Sequence, residues 1–249
     1  MTGIIVTVKE EFLRYSESLT EPKASRYAGM EFLAGKLHSR EVVVVCCGGD
    51  IKTAICTQAM IDHFHIRGII VTGLARPLDE HLVGGDIVVS NAIAHSGSAF
   101  TESEGASGGG DTAQNIVEAD SRLIGMARQA YDDYESANEI NARLTVGTVL
   151  SGFDLAFDFR RIERFRKEYN AIAVETGSIG AAYTCMLNEI PFIAIRTVSH
   201  TGGWTGKQEH RENVCMAADN SYLLVSAIMK LSSKSGSFRG REAFPELFC

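Results

Sequence analysis

Four residues able to do chemistry together, Glu175, Arg196, Ser199 and His200, fall within one stretch, Ala171–His200 (AIAVETGSIGAAYTCMLNEIPFIAIRTVSH). An apolar run, Ala171 to Val174, ends on the carboxylate of Glu175. A second run, Phe192 to Val198, carries Arg196 and delivers Ser199 and His200. Between them Gly177, Gly180, Ala181 and Ala182 recur at helical spacing. The pattern reads as strand, helix, strand: two parallel strands joined by a crossover helix. Ligands of such sheets sit off the carboxyl ends of the strands, so Glu175 and His200 are expected to face one crevice. The alternative role for Glu175 is to cap the following helix, where the dipole favours an anion. Glu11 stands at a similar place, where Lys9-Glu10-Glu11 open a helix after the strand Gly3 to Val8. An arginine in that crevice must pair with a carboxylate, because an unpaired buried charge is costly. Glu175 or Glu11 is the expected partner.

The elements that must position these groups alternate along the chain. Val42 to Cys47 is an unbroken apolar strand, as expected of one covered on both faces. Cys47-Gly48-Gly49-Asp50 turns tightly into a helix, Ile51 to Phe64. It lacks G-x-G-x-x-G and the Walker Lys-Ser/Thr, so its glycines are read as serving a close turn. Strands follow at Gly68 to Thr72 and Asp86 to Ser90, then a polar, glycine-rich loop from Ala94 to Asp111. The pattern predicts helices over Thr112 to Asp133, Arg160 to Tyr169 and Gln208 to Leu231, and a strand over Val146 to Ser151. The expected fold class is α/β: a single three-layer domain, 1–231, with a mostly parallel (mixed) central sheet flanked by helices. Residues 232–249 are expected to form a poorly ordered tail.

A net charge of −7 over 249 residues argues against nucleic acid and an anionic membrane as partners. No apolar run is expected to reach membrane-spanning length, and the start lacks a basic region with a cleavage site. Six cysteines without a C-x-x-C pair suggest reduced thiols and a cytoplasmic protein. His63 and His65 end a helix, where positive charge suits the dipole. His38, His81 and His95 read as loop residues at no metal-ligand spacing. His200 and His210 would need a third ligand such as Glu209 or Asp154. No metal and no cofactor are expected.

Several stretches at once resemble the purine nucleosidase and nucleoside phosphorylase superfamily, nearest its methylthioadenosine/S-adenosylhomocysteine nucleosidase branch. They are GII…KEE at the start, EVVVV…GG at 41–49, VTG…L…VGGDIVVS at 71–90, VGTVLSG at 146–152, AIAVE at 171–175, PFIAIRTVS at 191–199 and AADNSYLLVSAIMKL at 217–231. The resemblance implies a nucleoside phosphorylase-like fold and a reaction in which water attacks the anomeric carbon of a ribosyl-like sugar while a purine departs. It implies that Glu11 activates the water, that Arg196 and Ser199 orient the site, and that Gly73, Glu175 and Thr176 lie against substrate. Phe153 or Phe157 would stack on the base. Apart from the resemblance, Gly202, Gly203 and Gly206 read as a flexible entry to the last helix, with Trp204 as a lid over the crevice or as a packing aromatic. Three positions depart from the family pattern. Gly177 stands where the family has a second, ribose-binding carboxylate, and His200 where it has the aspartic acid that protonates purine N7. Leu74-Ala75-Arg76-Pro77 replaces its S-A-G-G loop. Histidine is able to donate the proton, with a reference pKa of about 6.5, which makes His200 the candidate acid beside Glu11.

Two functions from different classes fit. One is a nucleosidase cleaving the N-ribosyl bond of methylthioadenosine, S-adenosylhomocysteine or a related nucleoside. Hydrolysis is favoured over phosphorolysis because the phosphorylases' G-T-C/S-G loop is absent. The other is a catalytically inactive or ligand-sensing homologue that binds a nucleoside-like ligand without cleaving it. The resemblance also implies a homodimer or a larger ring of copies.

Overall fold

Short runs of β-branched residues build the sheet: Ile4 to Val6, Val42 to Val45 and Ile69 to Val71 are wholly buried. A computed structural model of the chain describes residues 1–95, 115–137, 140–152, 159–199 and 207–235, the side chains of 207–210 and 232–235 excepted. Elements are numbered in chain order. Strand β1 (Thr2–Val6) lies between β4 (Arg40–Cys46) and β5 (Ile69–Pro77), parallel to both. Beyond β5 come β10 (Phe192–Val198), parallel to it, and β6 (Ile87–His95), antiparallel to β10. Parallel strands β8 (Leu144–Ser151) and β9 (Ala171–Glu175) follow. The end of β5 then pairs antiparallel with β9, Arg76 opposite Val174 and Pro77 opposite Ala173. Strands β5, β10, β6, β8 and β9 thereby close into a ring, which removes free edges beside the site.

Helices cover both faces. α2 (Asp50–Phe64) and α5 (Ser178–Leu187) pack over Ile5, Val43, Val71 and Ala194. α1 (Lys9–Ser18), α3 (Ser121–Ser136) and α6 (Lys207–Ser235) cover Ile4, Val6, Ile70 and Ile195 on the other face. α4 (Phe159–Tyr169) seals a smaller cluster with Leu150 and Val174. The architecture is the expected single α/β domain with a mixed sheet.

Four differences from the sequence reading have local causes. No element was expected between α1 and β4, yet β2 (Thr20–Tyr27) and β3 (Met30–Leu37) form a hairpin against β4. β2 is an exposed edge strand without apolar alternation; its one signal is the Ala28-Gly29 turn, positive in φ at both residues. α3 starts at Ser121 rather than Thr112, capped by Asp120, which accepts from the amides of Arg122 and Leu123, with β7 (Ile116–Glu118) ahead of it. β5 and β6 run on to Pro77 and His95, so the expected loop from Ala94 begins inside a strand; its remainder to Asp111 lies outside the described residues. Finally, Arg211–Leu231 is long and apolar enough to cross a membrane by length and composition, contrary to expectation. It is a core helix instead: Leu224, Val225, Ala227, Ile228 and Met229 are buried against the sheet. It continues to Ser235, past the expected boundary at 231.

Close approach of α2 and α5 rests on Gly180. A Cβ there would lie 1.9 Å from the backbone oxygen of Asp50 and 2.7 Å from Thr53 Oγ1. Alanine is the better helix former by about 1 kcal/mol, but the clash involves backbone and cannot be relieved by a rotamer. Gly180→Ala is therefore expected to destabilise the protein by about 1–3 kcal/mol, read from the midpoint of urea unfolding.

Candidate active site

The carboxyl ends of β1, β5, β9 and β10 bring together residues far apart in sequence. Register places Thr72 beside Val6 and Gly73 beside Arg196. Gly73 has φ +149, and a Cβ there would fall 1.9 Å from Thr7 Oγ1 and 2.8 Å from Arg196 Nη1. Only glycine leaves room for the arginine to reach Thr7 across β5.

Arg196 is the largest fully buried side chain among the described residues. Its Nη2 lies 2.7 Å from Glu175 Oε2 and donates to Ser178 Oγ, while Nη1 donates to Thr7 Oγ1 at 3.1 Å. Its Nε is buried without a partner. Glu175 also accepts from the Ser178 amide, at 3.0 Å through Oε1 and 3.2 Å through Oε2. The two roles open for Glu175 are thus joined: it binds the first amide of α5 and is the counter-ion of Arg196. Ser151 Oγ accepts from the Ile179 amide at 3.0 Å, holding the same helix start to β8.

Glu11, in the first turn of α1, is fully buried. Oε1 accepts from Thr72 Oγ1 at 2.7 Å, and Oε2 has no partner. Burial pushes its carboxyl up to about 8, against the pull of the Thr72 hydrogen bond and the Arg196 charge. A carboxyl with such a value is poised near neutral pH as a general base.

Glu11, Gly73, Glu175 and Arg196 therefore converge. Ser199 is buried at the end of β10, its amide 3.4 Å from the Ala75 oxygen. Thr176 is exposed at the turn into α5. Phe153, Phe157, His200 and Trp204 lie outside the described residues. The sequence reading missed Thr7, Thr72 and Ser178; the signal for Thr72 was its place before Gly73 at a strand end. At the first of the three departures, Gly177 has φ +143, and a Cβ would sit 3.2 Å from the Gly49 amide nitrogen at the start of α2. Its carbonyl accepts from Thr53 Oγ1. The Gly48-Gly49 turn packs against this backbone.

Residues 2–230 match the sequence profile of the phosphorylase superfamily. The chain belongs to that superfamily. A relative, the 5′-methylthioadenosine/S-adenosylhomocysteine nucleosidase of Maridesulfovibrio salexigens, is 28% identical over 233 residues, covering 92% of this chain and 98% of the relative. The solved nucleosidase of the same designation from Neisseria meningitidis, in complex with methylthio-immucillin-A, superposes with TM-score 0.79 at 26% identity. That match covers 92% of this chain and 98% of the other. The Colwellia psychrerythraea nucleosidase, in complex with adenine, gives TM-score 0.78 at 26% identity over 92% and 93% of the two chains. This phosphorylase-superfamily chain thus shares its fold with them over 92% of its length.

Removing the guanidinium while leaving its carboxylate strands a buried charge. Arg196→Met is expected to cost about 3–5 kcal/mol, and Arg196→Met with Glu175→Gln less than the single substitution. Denaturant unfolding of both variants reads the difference.

Proposed function

We propose that the protein is a nucleosidase that hydrolyses the N-ribosyl bond of a purine nucleoside such as methylthioadenosine or S-adenosylhomocysteine. The observation that carries this reading is the buried Glu11 carboxyl, with Oε2 unpartnered, held under the charge of an Arg196 whose Nε is also unpartnered. A carboxylate acceptor and a guanidinium donor left open at strand ends suit a water held for attack on an anomeric carbon. Glu11 takes the water's proton as the C–O bond forms. The C–N bond breaks, and its electron pair leaves with the purine. His200 is the candidate acid for that base. The relatives' printed activity and ligands, a methylthio nucleoside analogue and adenine, support the same substrate class.

A second reading, a ligand-binding homologue without turnover, is favoured by Gly177. A side chain there would be strained at φ +143 and its Cβ would press on the Gly49 amide nitrogen at 3.2 Å, which disfavours a carboxylate at that position. Incubation with methylthioadenosine, adenosylhomocysteine, adenosine and inosine separates the two. Free base from any of them supports hydrolysis. A rise in melting temperature without base release supports the second reading.

Glu11→Gln is expected to abolish base release. Its effect on stability depends on pH. Burial raises the folded-state value of Glu11 from 4.5 to about 8, so the folded chain keeps a proton that the unfolded chain releases. The contribution is fully present below pH 4.5 and is lost as pH rises to about 8. Glu11→Gln removes this loss, so at pH 8 and above the variant should exceed the wild type by ~2–4 kcal/mol, shown by unfolding at two pH values.

The reading also has the protein act as a homodimer in the cytoplasm. Free thiols at Cys46, Cys47, Cys56, Cys185 and Cys215 are consistent with that compartment. The domain is taken to run to the end of α6 at Ser235, with the remainder a tail. Sedimentation at micromolar concentration should give twice the 27.0 kDa chain mass; a single-chain species throughout contradicts the dimer.

A further inference from the structure

We infer that the Tyr15 hydroxyl is a positioning group for Glu11, donating to the carboxylate oxygen that Thr72 leaves open and so holding the base in its ionised form. This rests on the nucleosidase reading for its consequence in turnover, but not for the contact itself.

Glu11 and Tyr15 are one turn apart on α1 and are its two buried residues. Side chains four apart share a helix face, and a long side chain leans toward the helix N-terminus, so Tyr15 reaches over Glu11. Both are fully buried, and each carries an oxygen without a partner: Oε2 of Glu11 and the hydroxyl of Tyr15. Each of these polar atoms is costly to leave unsatisfied, and a small rotation that joins them removes both costs at once. The ring itself is fixed. It meets Tyr222 of α6 edge to face, with centroids 5.0 Å apart, and the Tyr222 hydroxyl is tied by donating to Ser18 Oγ at 2.7 Å. The remaining charged and titratable neighbours come from the sheet: Arg196 on β10 acts on Glu11, and the Cys46 thiol at the end of β4 feels the Glu11 charge. Thr72 is the other donor.

Burial pushes the Tyr15 phenol well above its ordinary range, so it stays a donor wherever Glu11 titrates. A carboxylate oxygen accepts along two directions, so Tyr15 on one leaves the other for the attacking water. The hydrogen bond favours the ionised form of Glu11 and opposes the burial that disfavours it. Tyr15 therefore sets where the base becomes active without touching substrate.

Tyr15→Phe keeps the ring and removes the donor. The acidic limb of the kcat/KM profile should move up by about one to two pH units, with KM and the alkaline plateau unchanged. A merely structural role would lower the rate equally at every pH, and that result, or a superimposable profile, overturns the inference. Infrared difference titration of the protonated-carboxyl band, assigned by its absence in Glu11→Gln, reads the same shift without turnover. Incorporation of 3-fluorotyrosine at position 15, a stronger donor, should move the midpoint the opposite way and covers a Tyr15→Phe that fails to fold. If the wild type releases no base from any nucleoside, the nucleosidase reading fails while the infrared midpoint still decides Tyr15. An unmoved midpoint in both variants overturns it.

Discussion

The buried pair of Arg196 and Glu175 is the constraint on which the rest of the site depends. Taking both charges out of water costs several kcal/mol per ion, and their attraction offsets this only with good geometry and further hydrogen bonds. Those bonds come from Thr7, Ser178 and the first amide of α5. Strands β1, β9 and β10 and the start of α5 are therefore bound to one guanidinium. Gly73 is the condition for this, because any side chain at that place would occupy the line from Arg196 to Thr7. The ring closure through Arg76 and Val174 holds β5 against the strand that supplies Glu175.

Glu11 stands in contrast to that pair. Glu175 is fully engaged by a cation and an amide, whereas Glu11 has only hydroxyls, Thr72 and the inferred Tyr15, and the more distant help of Arg196. Two carboxylates in one crevice are pushed toward different tasks by their surroundings. The paired one is a fixture that keeps the arginine and helix in place. The under-partnered one retains a proton to exchange near neutral pH, and the strain of burying it is a cost to the fold.

Much of this was readable from residue types. The runs Val42 to Val45, Ala171 to Val174 and Phe192 to Val198 announce buried parallel strands, and a carboxylate or arginine at the end of such a run has few places to go but the crevice. That reasoning anticipated a carboxylate partner for Arg196 and narrowed it to Glu175 or Glu11; register decides for Glu175. It did not reach the β2–β3 hairpin, whose stability comes from pairing with β4 rather than from its own exposed residues. Nor did it reach Thr7, Thr72 or Tyr15. Threonine in a strand and tyrosine on a helix are ordinary packing residues until register brings a carboxylate or guanidinium beside them. The run of β5 past Gly73 was likewise hidden, since its two last residues are held by β9, nearly a hundred positions away in sequence.

Gly177 has a consequence for how the site can be altered. Its positive φ, its bond from Thr53 and its contact with Gly49 are properties of backbone, shared between the starts of two helices. An acidic side chain placed here would meet a strained backbone and a neighbouring turn that has to give by a few tenths of an ångström. Exchange at this position is therefore coupled to the glycine turn ahead of α2 and is not a matter of one side chain alone. Arg76 and Thr176, at the neighbouring strand end and helix start, are less buried than Gly177, so side-chain exchange there is free of that coupling.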